Sequence, residues 1–323
     1  MKIWLIAPLA LLALWTGTPG VAQTAGGPVA TPLVLVVGGP AGNPGDLLLR
    51  TLAPALAAEL GQPVVVENRP GAAGTIGLAA VARARPDGNT LGLFALQQAA
   101  APALIKSLPY DTLADLAPVR QLSWVSNVLV VARDSPLATL GDVTRAGRAA
   151  PLDFASGGNG TPAHLAAELF AQQAQVPVRH VPFNGAMAGV NAVLAGHVPL
   201  MFATAPSVAG LLQSGQLRAL AGAGPERLAI APAAPTLAES GYAGASLRDW
   251  HGLVAPAATS PERIAQIAMA LDRAMATDAV RQRMTAAGLE PVVSSSPETF
   301  KALIRQELRR WGEVVRRAGI TLQ

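Results

Sequence analysis

The sequence predicts an α/β protein of two lobes, each a mostly parallel sheet flanked by helices, with a cleft between the lobes. Two observations support this fold class. The chain twice places a glycine-rich loop between a buried strand and a helix, at 38–45 and at 155–162. Around both units, apolar strands alternate with helices, which is typical of parallel sheets. A length of 323 residues with 51% apolar residues is sufficient for two buried cores.

The first 22 residues are predicted to be a cleaved signal peptide. Lys2 precedes an apolar run at 3–15 that is too short to span a membrane, and Gly20 and Ala22 are small residues that suit cleavage near Ala22. A retained signal anchor is the alternative. Residues 23–32 lack periodicity and are expected to form a disordered lead-in. The mature protein is therefore expected to be exported, and periplasmic in a Gram-negative host.

The composition argues against nucleic-acid binding. The formal net charge is only +4 and aromatic residues make up 4% of the chain, whereas nucleic-acid binding needs a clustered basic face with stacking aromatics. The chain has no cysteine, so its stability must come from core packing. The basic residues near the C-terminus are expected to form a solvated helix face, with a docking site as the alternative: Arg305, Arg309, Arg310, Arg316 and Arg317.

The first α/β cycle extends to about residue 124. Its first strand, at 34–37, leads through the glycine loop into a helix at 46–60, in which Pro54 predicts a kink or a break. The other expected elements of this cycle are a strand at 64–66, a helix at 75–85 and a strand at 90–96.

The second cycle begins with a strand at 127–132, and the last third of the chain is helical. Ser260-Pro261-Glu262 and Ser296-Pro297-Glu298 both combine a capping residue, a proline and a carboxylate, which predicts two helix starts. One lobe is expected to comprise 33–124 plus 231–323 and the other 125–230, with two crossing segments as a hinge. The other expected elements of the second cycle are a helix at 163–175, a strand at 178–181, a helix at 187–195 and strands at 200–202 and 217–221.

The two glycine loops are predicted to hold an anion. Glycine lets the backbone approach a ligand closely, and unpaired amides at a helix start attract negative charge. Two such loops on opposite lobes predict that a carboxylate is held between them.

Motifs in a fixed order extend through nearly the whole mature chain: Pro40-Ala41-Gly42 followed by Asp46, the segment 61–71, Ser156-Gly157-Gly158-Asn159-Gly160-Thr161-Pro162, the segment 181–185 and Trp250-His251-Gly252. In this order they resemble the Bug-type solute receptors of tripartite tricarboxylate transporters. The resemblance implies a monomeric periplasmic binding protein of type II-like architecture that uses no metal or cofactor. It also implies a small organic carboxylate as ligand and the membrane subunits of a tripartite tricarboxylate-type transporter as partners.

Two other function classes remain open at this point. The first is a receptor that presents its ligand to a sensor kinase rather than to a transporter, and both roles need the same lobes. An exported hydrolase is the enzyme alternative. The chain has no Gly-x-Ser-x-Gly elbow and its four histidines lack metal-binding spacing, but a Ser–His–Asp arrangement of distant residues stays open.

The predicted ligand-binding residues lie on the two loops and on three later strand ends. They are Gly42, Asn43, Gly45, Asp46, Gln97, Ser156, Gly157, Gly158, Asn159, Gly160, Thr161, His164, Asn184, Gly185 and Thr204. For several of them the sequence allows a second interpretation: Asp46 as a helix cap, His164 as a packed side chain, Asn184-Gly185 as a plain turn. Trp250 and His251 are assigned to the connection between the lobes rather than to the ligand.

The chain departs from the family pattern at three points. Gly38-Gly39 stand where relatives commonly carry Pro-Phe, Ala203 where many have Asp, and Gln97-Gln98-Ala99 where Ser, Thr and His are common. These changes predict a roomier cleft without a counter-charge for an amine. We therefore expect a carboxylate that lacks an amine and has a bulky or apolar body.

Overall fold

The computed structural model describes residues 31–318. The predicted signal peptide at 1–22 and all but the last two residues of the predicted lead-in lie outside this range. None of the helices within residues 31–318 has the length and apolar character needed to cross a membrane.

The described residues form an α/β structure in which strands and helices alternate over most of the chain. The strands are β1 (Leu33–Val37), β2 (Val64–Asn68), β3 (Thr90–Ala95), β4 (Leu116–Ala132), β5 (Leu152–Ser156), β6 (Val178–Pro182), β7 (Leu200–Thr204), β8 (Leu217–Gly222), β9 (Arg248–Pro256) and β10 (Glu290–Pro291). The helices are α1 (Pro44–Leu60), α2 (Thr75–Ala82), α3 (Leu96–Leu104), α4 (Leu140–Ala149), α5 (Pro162–Ala174), α6 (Ala186–Leu194), α7 (Ala205–Gln213), α8 (Pro261–Ala276), α9 (Asp278–Ala286) and α10 (Pro297–Ala318).

Strand β4 belongs to two sheets. Its first part pairs with β9 and β10, and its second part pairs with β7 and β8. The first sheet has the order β2-β1-β3-β9-β4-β10, and the second has the order β6-β5-β7-β4-β8. The change of partner falls between Ser126, opposite Arg248 of β9, and Asn127, opposite Thr204 of β7.

The predicted two-lobe α/β class is confirmed, but the sheets are mixed rather than mostly parallel. In each sheet, three strands connected through helices run parallel: β2, β1 and β3 in the first, β6, β5 and β7 in the second. Strands β4, β8, β9 and β10 pair antiparallel. The chain leaves the first sheet along β4 and returns along β9, so these two long strands lie side by side in opposite directions.

The core packs the sheets against helices with few polar atoms. The alternating residues Leu33 and Leu35 of β1 are fully buried in a cluster with Leu52 of α1 and Leu271 of α8. On β9, the fully buried Trp250 stacks on Phe94 at a ring distance of 5.8 Å. Strand β9 is thereby held firmly in the middle of the first sheet.

Helix α1 differs from its prediction at both its start and its middle. It begins at Pro44 with Asn43 as its N-cap, two residues before the expected Asp46. The predicted break at Pro54 is absent, because the helix continues to Leu60 with Pro54 inside it. Burial of Leu52 and Leu56 on either side of the proline compensates for the lost hydrogen bond.

Candidate functional site

A cleft of about 320 Å³ is lined by residues of both sheets. The loops after the parallel strands β1, β2, β5 and β6 line it, together with the ends of β3 and β7 and the start of β9. In α/β sheets, ligands bind beyond the carboxyl ends of parallel strands, so the cleft lies where this topology places a binding site. Its volume suits a small molecule.

The first glycine loop is held by side chains of its own helix. The Oδ1 atom of Asn43 accepts hydrogen bonds from the backbone N–H groups of Gly45 at 2.8 Å and Asp46 at 3.1 Å. The N–H of Gly42, whose φ of +81° suits glycine, donates to Oδ2 of Asp46 at 2.8 Å. The amides of Gly42, Gly45 and Asp46 are therefore bound within the loop rather than free for a ligand.

Asp46 is the centre of a charged network behind this loop. Its carboxylate is 2% exposed and receives Nε of Arg50 at 3.0 Å, while Arg50 also donates to Asn68. Asn68 in turn donates to the carbonyl of Gly39 at 3.1 Å. Burial acts to raise the pKa of Asp46, but the hydrogen bonds from Arg50 and Gly42 outweigh it and hold that pKa below its usual range. Asp46 therefore neither caps the helix nor lines the cleft; it fixes the loop.

The second glycine loop is held by hydroxyl groups. The fully buried Oγ of Ser156 accepts the N–H of Gly158 at 3.1 Å, and Oγ1 of Thr161 donates to the carbonyl of Gly158 at 2.8 Å. Thr161 is also the N-cap of α5. Gly157 approaches α6 so closely that an added Cβ would lie 2.9 Å from the backbone nitrogen of Ala186.

Two stacked histidines contact residues of the second loop. The rings of His164 and His180 lie 3.9 Å apart and nearly parallel, and Phe154 stacks on His180 at 4.9 Å. Nδ1 of His164 accepts the N–H of Gly160 at 3.0 Å, and Nε2 of His180 lies 2.6 Å from Oγ of Ser156. Desolvation, with the neighbouring His164, lowers the pKa of His180 to about 4. Because Ser156 is fully buried, this Ser–His pair does not present a nucleophile to the cleft.

A third loop, at 70–74, also lines the cleft, and none of its residues was predicted to bind the ligand. Ala72 and Ala73 adopt left-handed backbone angles, with φ of +43° and +56°, and Nε2 of Gln98 donates to the carbonyl of Ala73 at 2.9 Å. Such strain is common where backbone shapes a binding site. A Cβ on Gly38 would lie 2.6 Å from the Cα atom of Gly74, so the backbone of this loop occupies the space beside Gly38. The aromatic ring of relatives would stand at Gly39, so the roomier cleft expected from its absence stays a prediction.

Three helices that begin at the cleft have no side-chain cap. The N-caps of α3, α6 and α7 are Ala95, Gly185 and Thr204, and none of them accepts a hydrogen bond from its helix. The hydroxyl of Thr204 instead lies 2.7 Å from Oγ of Ser207. Helix starts carry unpaired N–H groups and partial positive charge, which an anion can satisfy. At α3 the N–H groups of Ala95 and Leu96 are already accepted by the side chains of Gln98 and Asp249, so the starts of α6 and α7 offer the donors that no side chain has taken.

Strand β9 contributes two ionisable side chains to the cleft, Asp249 and His251. Asp249 is 4% exposed, and burial raises its pKa to about 7 despite hydrogen bonds from the backbones of Trp250 and Leu96. Burial also lowers the pKa of His251 to about 4, and its Nδ1 lies 3.4 Å from Oγ of Ser123. His251 thus lines the cleft, and its assignment to the connection between the lobes rather than to the ligand stays a prediction. An isolated aspartate and histidine in an apolar strand gave no sequence signal for this position.

The structure separates the predicted site residues into two groups. Those that line the cleft are Asn43, Gln97, Gly157, Thr161, Asn184, Gly185 and Thr204. The others are not part of the lining: Gly42, Gly45, Asp46, Ser156, Gly158, Asn159, Gly160 and His164. Most of this second group shapes a loop through the hydrogen bonds described above, whereas Asn159 is exposed to solvent.

Ala203 is fully buried in β7 and is not part of the cleft lining. Ala203 lies on the same face of β7 as Met201, which lines the cleft, so the effect of the missing aspartate stays a prediction. The expectation that the cleft offers no carboxylate to an amine is corrected, because Asp249 lines it.

Comparison with known proteins identifies the family. The family model described as tripartite tricarboxylate transporter family receptor matches residues 48–320. The chain is 34% identical to protein BugT of Bordetella pertussis over 98% of both chains. Three of the solved structures that are similar in both fold and sequence bear on location or ligand, and one is the periplasmic binding protein BugD, with 29% identity, a TM-score of 0.83, and coverage of 90% of this chain and 99% of BugD.

The other two similar structures contain carboxylates. MatC of Rhodopseudomonas palustris, with bound malate, is 30% identical with a TM-score of 0.81, covering 88% of this chain and 99% of MatC. Rpa4515 of R. palustris, with adipate, is 28% identical with a TM-score of 0.83, covering 91% of this chain and 99% of Rpa4515. The chain belongs to the tripartite tricarboxylate transporter receptor family, a family of solute-binding receptors rather than enzymes.

Proposed function

We propose that this protein is an extracytoplasmic receptor that binds a small organic carboxylate and delivers it to the membrane subunits of a tripartite tricarboxylate-type transporter. The observation that carries the proposal is the convergence of the starts of α3, α6 and α7 on one cleft of about 320 Å³, where α6 and α7 have no side-chain cap. Backbone N–H groups at helix starts bind carboxylates without a cationic side chain.

The relatives support the ligand class and the location. MatC and Rpa4515 hold malate and adipate, two dicarboxylates, and BugD is a periplasmic binding protein. Together with the predicted signal peptide at 1–22, this favours export, cleavage near Ala22 and a periplasmic location. The ligand of this chain is not carried over from any relative, because the loop residues differ.

The lobes proposed from the sequence, 33–124 plus 231–323 and 125–230, are joined by β4 and by the segment that leads from β8 to β9. Thr236 pairs with Gly222, and residues 243–245 pack on α5, so the return crossing is better placed near Leu247 than at residue 231. We expect the lobes to close around the ligand by rotation about these two crossings. A decrease in the radius of gyration on ligand addition, measured by small-angle scattering, would support closure.

A thermal-shift and calorimetric screen tests the proposed function. The mature protein is titrated with mono-, di- and tricarboxylates and aromatic acids, with matched neutral amides as controls. A ligand at a hundred times its Kd should raise the free energy of unfolding by about 2.7 kcal/mol. Binding with unchanged ligand recovered by mass spectrometry supports a receptor; no binding across the panel, or chemical conversion of the bound acid, contradicts it.

A further inference from the structure

Asp249 places a buried carboxyl group on the wall of the cleft that is proposed to bind an anion. Two acids in contact must share a proton or repel each other. We propose that Asp249 is protonated in the complex and donates a hydrogen bond to the bound carboxylate, so that the receptor takes up a proton with its ligand. This inference rests on the proposed function and assigns Asp249 as a determinant of ligand charge.

The position of Asp249 is fixed by its strand and by backbone donors. It faces Val125 of β4 in the β9–β4 register, and its Oδ1 accepts the N–H of Trp250 at 2.7 Å. The backbone of Leu96, at the start of α3, donates a second hydrogen bond. With the carboxyl group 4% exposed, water contributes little to its solvation. A ligand that enters the cleft therefore becomes the main change in its surroundings.

The elements packed around Asp249 provide no cation to neutralise it. Strand β3 and helices α2 and α3 contain no ionisable residue, and Arg120 of β4 is bound to Asp272 and to the carbonyl of Val292. The neighbouring Arg248 is paired with Glu290. Helix α10 contributes Glu307, a further negative charge, and Arg310, which is paired with Glu307 at 3.8 Å and donates to the carbonyl of Ser246. His251, on the same strand as Asp249, is held neutral by burial, which lowers its pKa.

The other residues that line the cleft also provide no cation to neutralise Asp249. Among the described residues 31–318, those that line the cleft include no lysine or arginine. An ionised Asp249 and a ligand carboxylate would then share the cleft with only neutral groups, backbone dipoles and amide or hydroxyl side chains, to offset their repulsion. The pKa of Asp249, raised by burial to about 7, already makes the protonated form accessible near neutral pH, and an adjacent anion raises it further.

The direction of proton exchange distinguishes two ligand classes. An acid without an amine favours protonated Asp249, takes up a proton on binding and binds more tightly as the pH falls towards 7. An amino acid places an ammonium group where the ionised Asp249 attracts it, and such a ligand would release a proton. The geometry favours the first class, because Glu307 adds negative charge near Asp249 and the nearby arginines of β4 and β9 are already paired with acids.

Calorimetric titration with adipate and with malate at about pH 6 and about pH 8 tests the inference. Each titration is run in phosphate and in Tris, whose ionisation enthalpies differ, to count the protons exchanged. We expect Kd to rise about tenfold from pH 6 to pH 8, with uptake approaching one proton at pH 8. Asp249→Asn, which mimics the protonated acid, should flatten this dependence, whereas the exposed and distant Asp134→Asn should retain it.

A second variant tests whether the pKa of Asp249 causes the pH dependence of binding. It also provides a test if Asp249→Asn does not fold. Glu307→Gln removes the negative charge that helps to raise the pKa of Asp249, so the pH at which binding weakens should move down. Carboxylate binding with a pH-independent Kd and no proton uptake would overturn the inference and leave the proposed function standing. Proton release with aspartate or glutamate as the only ligands would also overturn it. No binding of any carboxylate at either pH would remove the proposed function and this inference with it.

Discussion

The two glycine loops look alike in sequence but are held in place by different physical means. The first, at 38–45, is fixed by an ionic network in which Asp46 binds Gly42 and Arg50, and Asn68 binds Gly39. The second, at 155–162, rests on neutral groups: the hydroxyl of Ser156 and the stacked rings of His164 and His180. A strand–loop–helix pattern thus specifies the path of the backbone but not the forces that stabilise it.

This difference predicts the conditions under which each loop stops contributing to the stability of the fold. A paired carboxylate with a lowered pKa keeps its stabilising effect until the pH falls below about the ordinary aspartate value. A histidine that is buried in its neutral form loses its contribution at higher pH, because the unfolded chain takes up the proton first. Low pH, deletion of a charge and addition of a methyl group should therefore change the free energy of unfolding differently for the two loops.

The largest expected effect is acid destabilisation through His180. Its pKa is lowered from 6.5 to about 4 in the folded protein, so the unfolded state binds the proton first between these values. Lowering the pH from about 7 to about 4.5 should then reduce the free energy of unfolding by about 2–3 kcal/mol through this residue alone. Urea unfolding of the wild type and His180→Gln at both pH values measures it. Contributions from His251 and Asp249 are common to both proteins, so an equal pH dependence in the two would contradict the account.

Removal of Asp46 should destabilise the first loop by about 2 kcal/mol, because Asp46→Ala leaves the Gly42 amide and Arg50 without their acceptor. The matched control is Glu67→Ala, which deletes an ion pair to Arg69 in which both side chains are more than 40% exposed. That change should cost less than about 1 kcal/mol. Chemical denaturation at neutral pH compares them, and equal losses would show that the buried network has no special role.

Added methyl groups should probe the close backbone contacts of both loops. Gly38→Ala brings Cβ to 2.6 Å from Gly74, and Gly157→Ala brings it to 2.9 Å from Ala186. We expect losses of about 1–2 kcal/mol, with the larger loss at Gly38, since neither backbone neighbour can turn away. Gly210→Ala is the control, because it adds a methyl group in open space on α7 and should stabilise the protein slightly. Thermal unfolding that ranks the three variants otherwise would contradict these close backbone contacts.

The smallest expected effect is on affinity. Both asparagines are exposed, but Asn184 lines the cleft, whereas Asn159 lies outside the lining. Loss of one hydrogen bond in Asn184→Ala should weaken carboxylate binding about fivefold, while Asn159→Ala should leave Kd nearly unchanged. Calorimetry with the tightest acid of the screen measures both, and the reverse order would place the ligand beside the second loop instead.

The sequence predicts the parts of the fold that depend on local pattern. The alternation of strands and helices around both loops, and the helix starts at Pro261 and Pro297, match the structure closely. Strand β9 was not predicted, because Arg248, Asp249 and His251 interrupt its apolar residues and leave no clear period of two. Its pairing with β4 joins residues more than a hundred positions apart, which no local pattern specifies.

The site was predictable only in outline for the same reason. Glycine spacing identified both loops, and seven of the fifteen predicted residues line the cleft. Side chains such as Asp46 and His164 have the chemistry of ligand contacts, but their partners in the folded chain turn them towards the backbone of the loops. Conversely, Asp249 reaches the cleft only because β9 lies between β3 and β4.

The most direct test of the account compares the tightest-binding carboxylate of the screen with its uncharged amide. The two have nearly the same shape, so the comparison isolates the interaction of negative charge with the helix starts at the cleft. We predict that calorimetry gives one saturable site for the acid and a Kd about thirtyfold or more weaker for the amide. Equal affinity for acid and amide, or binding of the amide alone, would contradict the claim that this cleft is a carboxylate receptor site.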